Sequence, residues 1–186
     1  HMNLAGVEIY PDTESSWIMA FADKNVFFTT ETGGLDVDAL DMFHYSYTAV
    51  TPAMAVTIEG AGSDYAISFL DGEKKPFDGA KEYKLHIPAN VPVNDFWAVT
   101  IYDTQTRSLL QTDQQFPTVG SLTEGFKQND DGSFDVFFSP NPTPGKENNC
   151  LQTIPGKSFI VILRVYGPLK PWIEKTWRPG EVTLIK

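Results

Sequence analysis

Phe96-Trp97-Ala98-Val99-Thr100-Ile101-Tyr102-Asp103 is the stretch that decides the fold. It mixes aromatic and β-branched residues, carries no charge before Asp103, and reads as apolar on both faces. An octet of this kind is too short for a buried helix and matches a central strand covered on both sides. Its counterpart is Ser158 to Val165, the most strongly β-forming stretch of the chain, which Gly167-Pro168 stops.

Working outward, the apolar period is two. Tyr65, Ile67 and Phe69 alternate with Ala66 and Ser68, the pattern of a half-buried strand. Tyr83, Leu85 and Ile87 point inward between Lys84 and His86. Phe126 to Gln128, the turn Asn129-Asp130-Asp131-Gly132, and Phe134, Val136 and Phe138 form a hairpin. Met54, Val56 and Ile58 predict another strand, and Val182 to Ile185 a last short one. Asp71-Gly72, Asp78-Gly79 and Gly60-Ala61-Gly62 are turn signals, and the prolines at 140, 142 and 144 make a stiff loop. Asp36 caps a helix running through Val37, Leu40, Asp41, His44 and Tyr45, which should end before Thr51-Pro52. Pro171-Trp172-Ile173-Glu174 predicts a helical turn. Trp17 to Ala22 and Asn25 to Thr30 do not alternate cleanly and are read as a strand, an irregular arm or the end of something longer.

About nine strands without βαβ alternation predict an all-β protein. The expectation is a two-sheet antiparallel, jelly-roll-like β-sandwich with a short N-terminal helical segment. Residues 1–35 are an N-terminal arm, with His1-Met2 a cloning remnant, and residues 36–186 are the sandwich domain.

At 186 residues with 41% hydrophobic and 13% aromatic content, the chain can bury one sizeable core. The formal net charge of −10 disfavours nucleic acid and anionic membranes as partners, since no Lys/Arg cluster offsets it. No apolar run reaches the roughly 20 residues of a spanning helix, so no membrane span is expected. Cys150 is the only cysteine, which rules out an intrachain disulfide and leaves the compartment open, with periplasmic or secreted favoured over cytoplasmic.

Several ordered motifs carry a family resemblance: the octet at 96–103, Asp130-Asp131-Gly132-Ser133, Leu163-Arg164-Val165-Tyr166-Gly167-Pro168, and Trp177 with Pro179. Thr51-Pro52-Ala53-Met54 and the Asp71-Gly72, Phe77-Asp78-Gly79, Tyr83 spacing fit as well. Together they resemble the bacterial family called domain of unknown function 1214, over roughly residues 17 to 186. The resemblance implies a jelly-roll-type sandwich and no established reaction. In longer members it implies a preceding domain of unknown function, 1254, with no counterpart in this chain. One departure is Cys150 after Asn149, where the family pattern favours tryptophan.

Candidate chemistry is sparse. Beyond His1 only His44 and His86 remain, on a predicted helix and an outer strand face, short of the imidazole cluster a cupin-like metal site needs. No metal site and no cofactor are predicted. Asp130-Asp131-Gly132 has calcium-ligand residue types but reads first as a turn. There is no Gly-x-Ser-x-Gly elbow, and Cys150 reads as a small buried hydrophobe. Asp103, Asp135, Glu147 and Glu174 are acid–base candidates by location alone. Trp172 and Trp177 read as packing of the C-terminal tail before they read as a sugar platform.

Arg164 is the charge that asks for an explanation. It shares a strand face with Ile160, Ile162 and Tyr166, where an unpaired guanidinium is costly. Two readings stand: an ion pair with Asp103 closing one sandwich end, or an anchor for a ligand carboxylate or sugar hydroxyl in a mouth walled by Trp97, Tyr102 and Tyr166. The candidate ligand-binding set is therefore Arg164, Asp103, Tyr166, Trp97 and Tyr102. The expected function is a binding or assembly module of the bacterial envelope, for carbohydrate, another small polar ligand or a protein. The alternative is a hydrolase of a glycan or other polar small substrate, with Asp103 or Glu147 as acid–base residue. A third reading makes the chain a structural half that meets a missing N-terminal partner domain or a second copy of itself.

Overall fold

The computed structural model describes residues 8–19, 25–47, 56–142 and 144–185. Eight strands form two four-stranded sheets. The first has the order β1 (Ser63–Ser68), β7 (Phe159–Tyr166), β3 (Trp97–Asp103), β4 (Thr118–Gly120). The second has the order β6 (Cys150–Gln152), β5 (Phe134–Ser139), β2 (Tyr83–Ile87), β8 (Val182–Leu184). All named ladders are antiparallel except β5 with β6, so the sandwich is mostly rather than wholly antiparallel. The chain repeatedly changes sheets, as β1 to β2, β2 to β3 and β4 to β5 show.

Parity along each strand sorts its residues into layers. Trp97, Val99 and Ile101 of β3 and Phe159, Val161, Leu163 and Val165 of β7 enter the core between the sheets. They meet Tyr83, Leu85 and Ile87 of β2 and Val136 and Phe138 of β5. Phe77 stacks on Phe159 at 4.8 Å and meets Tyr83 edge-on at 5.4 Å, joining the two layers through ring contacts.

The other parity builds a second cluster outside the first sheet. Ile67 of β1 and Ile160 and Ile162 of β7 lie there with Ile18, Phe28, Phe69, Ala39 and Phe43. The helix α1 (Val37–Tyr47) supplies Ala39 and Phe43, and its first turn is capped by Asp36 Oδ1, which accepts from Ala39 N–H at 3.0 Å. Thus β1 is buried on both faces rather than half-buried. Its alternating Tyr65, Ile67, Phe69 series faces the covering layer, and Ala66 faces the core.

Described residues of the arm pack on the sheets. Trp17 is fully buried in the main core and donates from Nε1 to Gly180 O at 2.9 Å. Ile18 pairs with Ile67 through two backbone hydrogen bonds of 2.8 and 2.9 Å, covering the edge of β1.

Some expectations change. The predicted strand from Met54 to Ile58 falls partly on residues 53–55, outside the described residues, as do the helix stop at Thr51-Pro52 and Ala20 to Ala22. Ile58 itself makes only an isolated bridge to Ala61 across the Gly60 turn, and both Val56 and Ile58 are exposed. Among the described residues, Val56 to Ile58 join no ladder. At the other end, α2 (Lys170–Ile173) and β8 form as predicted.

Candidate functional site

The covering layer reaches β1, part of β7 and Tyr102 of β3, and among its members none comes from β4. A groove of about 440 Å3 opens there on the outer face of the first sheet, within the size range of small-molecule sites. Its floor is Ala98 and Thr100 of β3 with Thr118 and Gly120 of β4, all short side chains. Phe116, Leu109 and Leu122 stand along its rim, and Leu122 is 75% exposed. Tyr102, Arg164 and Tyr166 close one end.

The register explains how Arg164 reaches that end. Its Cα lies opposite Ala98 on β3 and Tyr65 on β1, whereas Tyr102 lies opposite Ile160. The small outer-face residues between leave room for the guanidinium, whose Nη2 donates to Tyr102 Oη at 2.5 Å. It also lies over the rings of Tyr65 and Tyr102, at 5.6 and 5.7 Å from their centroids. Arg164 Nε is buried without a hydrogen-bond partner among the described residues. Burial works against the charge, but Tyr102, hydrogen bonding with Tyr166 and the nearby Tyr65 outweigh it, and the pKa lies above its ordinary value. Among the described residues no carboxylate pairs with this cation; its neighbours are three tyrosines. Burial raises the pKa of Tyr102, so its hydroxyl is protonated at neutral pH.

The expected pair of Arg164 with Asp103 does not form. Asp103 has the opposite parity, turns inward, and accepts from Lys157 Nζ at 2.5 Å and from the backbone of Gln105 and Thr106. The hydrogen bond from Lys157 leads the causes that hold its carboxyl below the usual range. Trp97 also has inward parity: its ring is buried in the core edge-on to Phe126 and Phe134, at 5.8 and 5.2 Å, and the residue still contributes to the groove lining. The groove thus brings together Arg164, Tyr102, Tyr166 and Trp97, and Asp103 lies outside it.

Residues not picked out from the sequence complete the site. Tyr65 lies beneath the guanidinium, and Phe96 stacks on Tyr166 at 4.1 Å. The signal for both was parity: Phe96, Ala98, Thr100 and Tyr102 form one even-numbered series, facing the even-numbered series of β7 in register. On the floor, Thr118 Oγ1 donates to Val99 O at 3.2 Å and lies 3.0 Å from Thr100 Oγ1. Both hydroxyl protons are therefore spent, and toward a ligand the two oxygens can only accept.

Among the described residues the groove lining contains no carboxylate, imidazole or thiol. The hydrolase arrangement with Asp103 or Glu147 beside Arg164 is not assembled. Glu147 Oε1 accepts from Gly145 N–H, Glu174 is exposed, and Asp135 lies 2.9 Å from His86 Nδ1 on the second sheet. No group of three or more His, Cys, Asp or Glu residues able to hold a metal occurs among the described residues. Asp131 accepts from Ser133 N–H and closes the hairpin turn. Cys150 is buried, with its thiol pushed up to about 11 by burial, and Trp172 is buried with Nε1 donating to Asp64 Oδ2. Asn149, beside Cys150, ties Lys127 to Asp135 through three backbone hydrogen bonds and so has a structural role.

Comparison with known proteins gives a family and two solved structures. The family described as "Protein of unknown function (DUF1214)" matches residues 62–170, which hold β1 through β7. The crystal structure of the VPA0106 protein from Vibrio parahaemolyticus matches at 26% identity with a TM-score of 0.61, covering 80% of this chain and 35% of that one. An uncharacterized protein from Burkholderia cenocepacia matches at 13% identity with a TM-score of 0.44, over 80% of this chain and 42% of that one. No curated protein matches. The chain thus spans well under half the length of these solved relatives.

Proposed function

The chain belongs to the DUF1214 family, and within that family of unknown function we propose that it acts as a binding module. Its outer-face groove takes a small ligand with a polar head and an apolar body, the head lying against Arg164, Tyr102 and Tyr166. The observation that carries this reading is Arg164, a half-buried guanidinium with no carboxylate partner among the described residues, lining an apolar groove. Tyrosine hydroxyls and ring faces hold the cation without neutralising it, which leaves its charge for the head of a ligand. The exposed Phe116 and Leu122 add apolar surface where a ligand body would lie. An envelope location suits such a role.

A thermal-shift screen of the full chain against glycans and small polar metabolites tests this. At a hundredfold excess over Kd, a groove ligand should stabilise the protein by about 2.7 kcal/mol, and Phe116→Ser with Leu122→Ser should remove that shift. A screen in which nothing stabilises the protein, or in which every hit persists in the double variant, overturns the reading.

The length of the solved relatives favours a second reading, in which part of this surface meets another domain. Phe27, Leu35 and Val37 form a separate exposed apolar set beside α1, away from the groove lining. Under that reading the full-length protein buries Phe27, and hydrogen exchange across residues 27–37 slows when the whole protein replaces this chain.

A further inference from the structure

We propose that the groove's ligand is a carboxylic acid bound as its anion, with the carboxylate on Arg164 and Tyr102 and an apolar body along the floor toward Phe116 and Leu122. This rests on the groove being a binding site and adds the class of its ligand. The argument is one of donors and acceptors. Tyr102 Oη accepts from Arg164 Nη2, so its own proton is turned away from the guanidinium and is available to donate. The phenol keeps that proton at neutral pH because burial raises its pKa. A guanidinium only donates, and the Thr100 and Thr118 hydroxyls have spent their own protons on Thr118 Oγ1 and Val99 O.

The charged end of the groove therefore donates through Arg164 and Tyr102. A carboxylate, which only accepts, is satisfied there and brings the counter-charge that no described residue supplies. A neutral sugar hydroxyl leaves that charge uncompensated. The guanidinium's single charge matches a monoanion. The apolar floor and the exposed Leu122 then select acids with a hydrocarbon body over small hydrophilic ones.

The test is an NMR titration of the isotope-labelled full chain with 3-phenylpropanoate, octanoate, the neutral isostere 3-phenylpropanamide, and maltose. The acids should shift the amide signals of Ala98 and Leu122 and the side-chain signal of Arg164. The amide should bind about tenfold more weakly or worse, the scale expected for losing a charge-assisted contact. Arg164→Gln should weaken 3-phenylpropanoate about tenfold and leave the amide within about twofold. Leu122→Glu, at an exposed position that leaves the fold intact, should weaken the acids more than the amide. If the amide or maltose binds in the groove as tightly as the acids, the acid assignment falls and the binding module stands. If neither these probes nor the wider screen moves the groove signals, both fall.

Discussion

Asp103 ends β3 at an inward-facing position, and its surroundings make it a hydrogen-bonded corner. Its side chain accepts from Gln105 N–H at 2.7 Å, Thr106 N–H at 3.1 Å and Lys157 Nζ, so the carboxylate form is the one the fold stabilises. The folded pKa is depressed, so this contribution is present above the unfolded value of about 3.9 and is lost as pH falls through the folded pKa. Asp103→Asn should cost about 1–2 kcal/mol at neutral pH, tempered because Lys157 is well exposed. Below about pH 4 the variant should lose less stability than the wild type, since it has no proton to take up there. Urea denaturation from pH 2 to 7 checks this; parallel curves for the two proteins would contradict it. The importance of Asp103 and Arg164 was legible in the sequence, because a charge inside an apolar strand demands a partner. Their pairing was not, since one is odd-numbered and the other even-numbered on antiparallel neighbours whose register only the sheet defines.

Single elements show how much a short edge strand depends on one small residue. β4 has three residues, and a Cβ on Gly120 would lie 2.1 Å from Trp97 O and 2.7 Å from Ala98 Cα. Gly120→Ala therefore forces β4 away from β3 and should destabilise the protein by about 2 kcal/mol or more. The Ser121 amide, which donates to Trp97 O at 3.1 Å, should exchange markedly faster. Unchanged exchange there would show that the strand can yield without separating. Gly120 also lies on the groove floor, so the shift would disturb the site from below. At this scale alternation predicted β1, β2, β5 and β7 well. At Val56 to Ile58, the described part of another expected strand, the period exists but no ladder forms, and alternation left the covered face of β1 unnamed. A period of two marks which residues share a face and is silent on what packs against it.

For the whole molecule the test is whether the arm and the sandwich unfold together. Trp17 is sealed in the main core beside Gly180 and Glu181, which bracket the chain's two ends: Ser15 Oγ and Ser16 N–H both donate to Glu181. Trp17→Ala should cost about 3–5 kcal/mol, and fluorescence and circular dichroism should still report one coincident transition. Two separated transitions would show that residues 1–35 fold independently of the sheets.

The sequence by itself determined the class of fold, because two-residue alternation admits pleated strands and little else. It also determined the layer of aromatic and branched side chains that joins the sheets, and the placement of one arginine among apolar strand residues. Only the tertiary structure decided which tyrosines surround that arginine, that Asp103 belongs to Lys157, and that a groove remains where the covering helix and arm stop. Side-chain parity is a local property of the backbone, whereas register and coverage depend on which distant segments come to lie side by side.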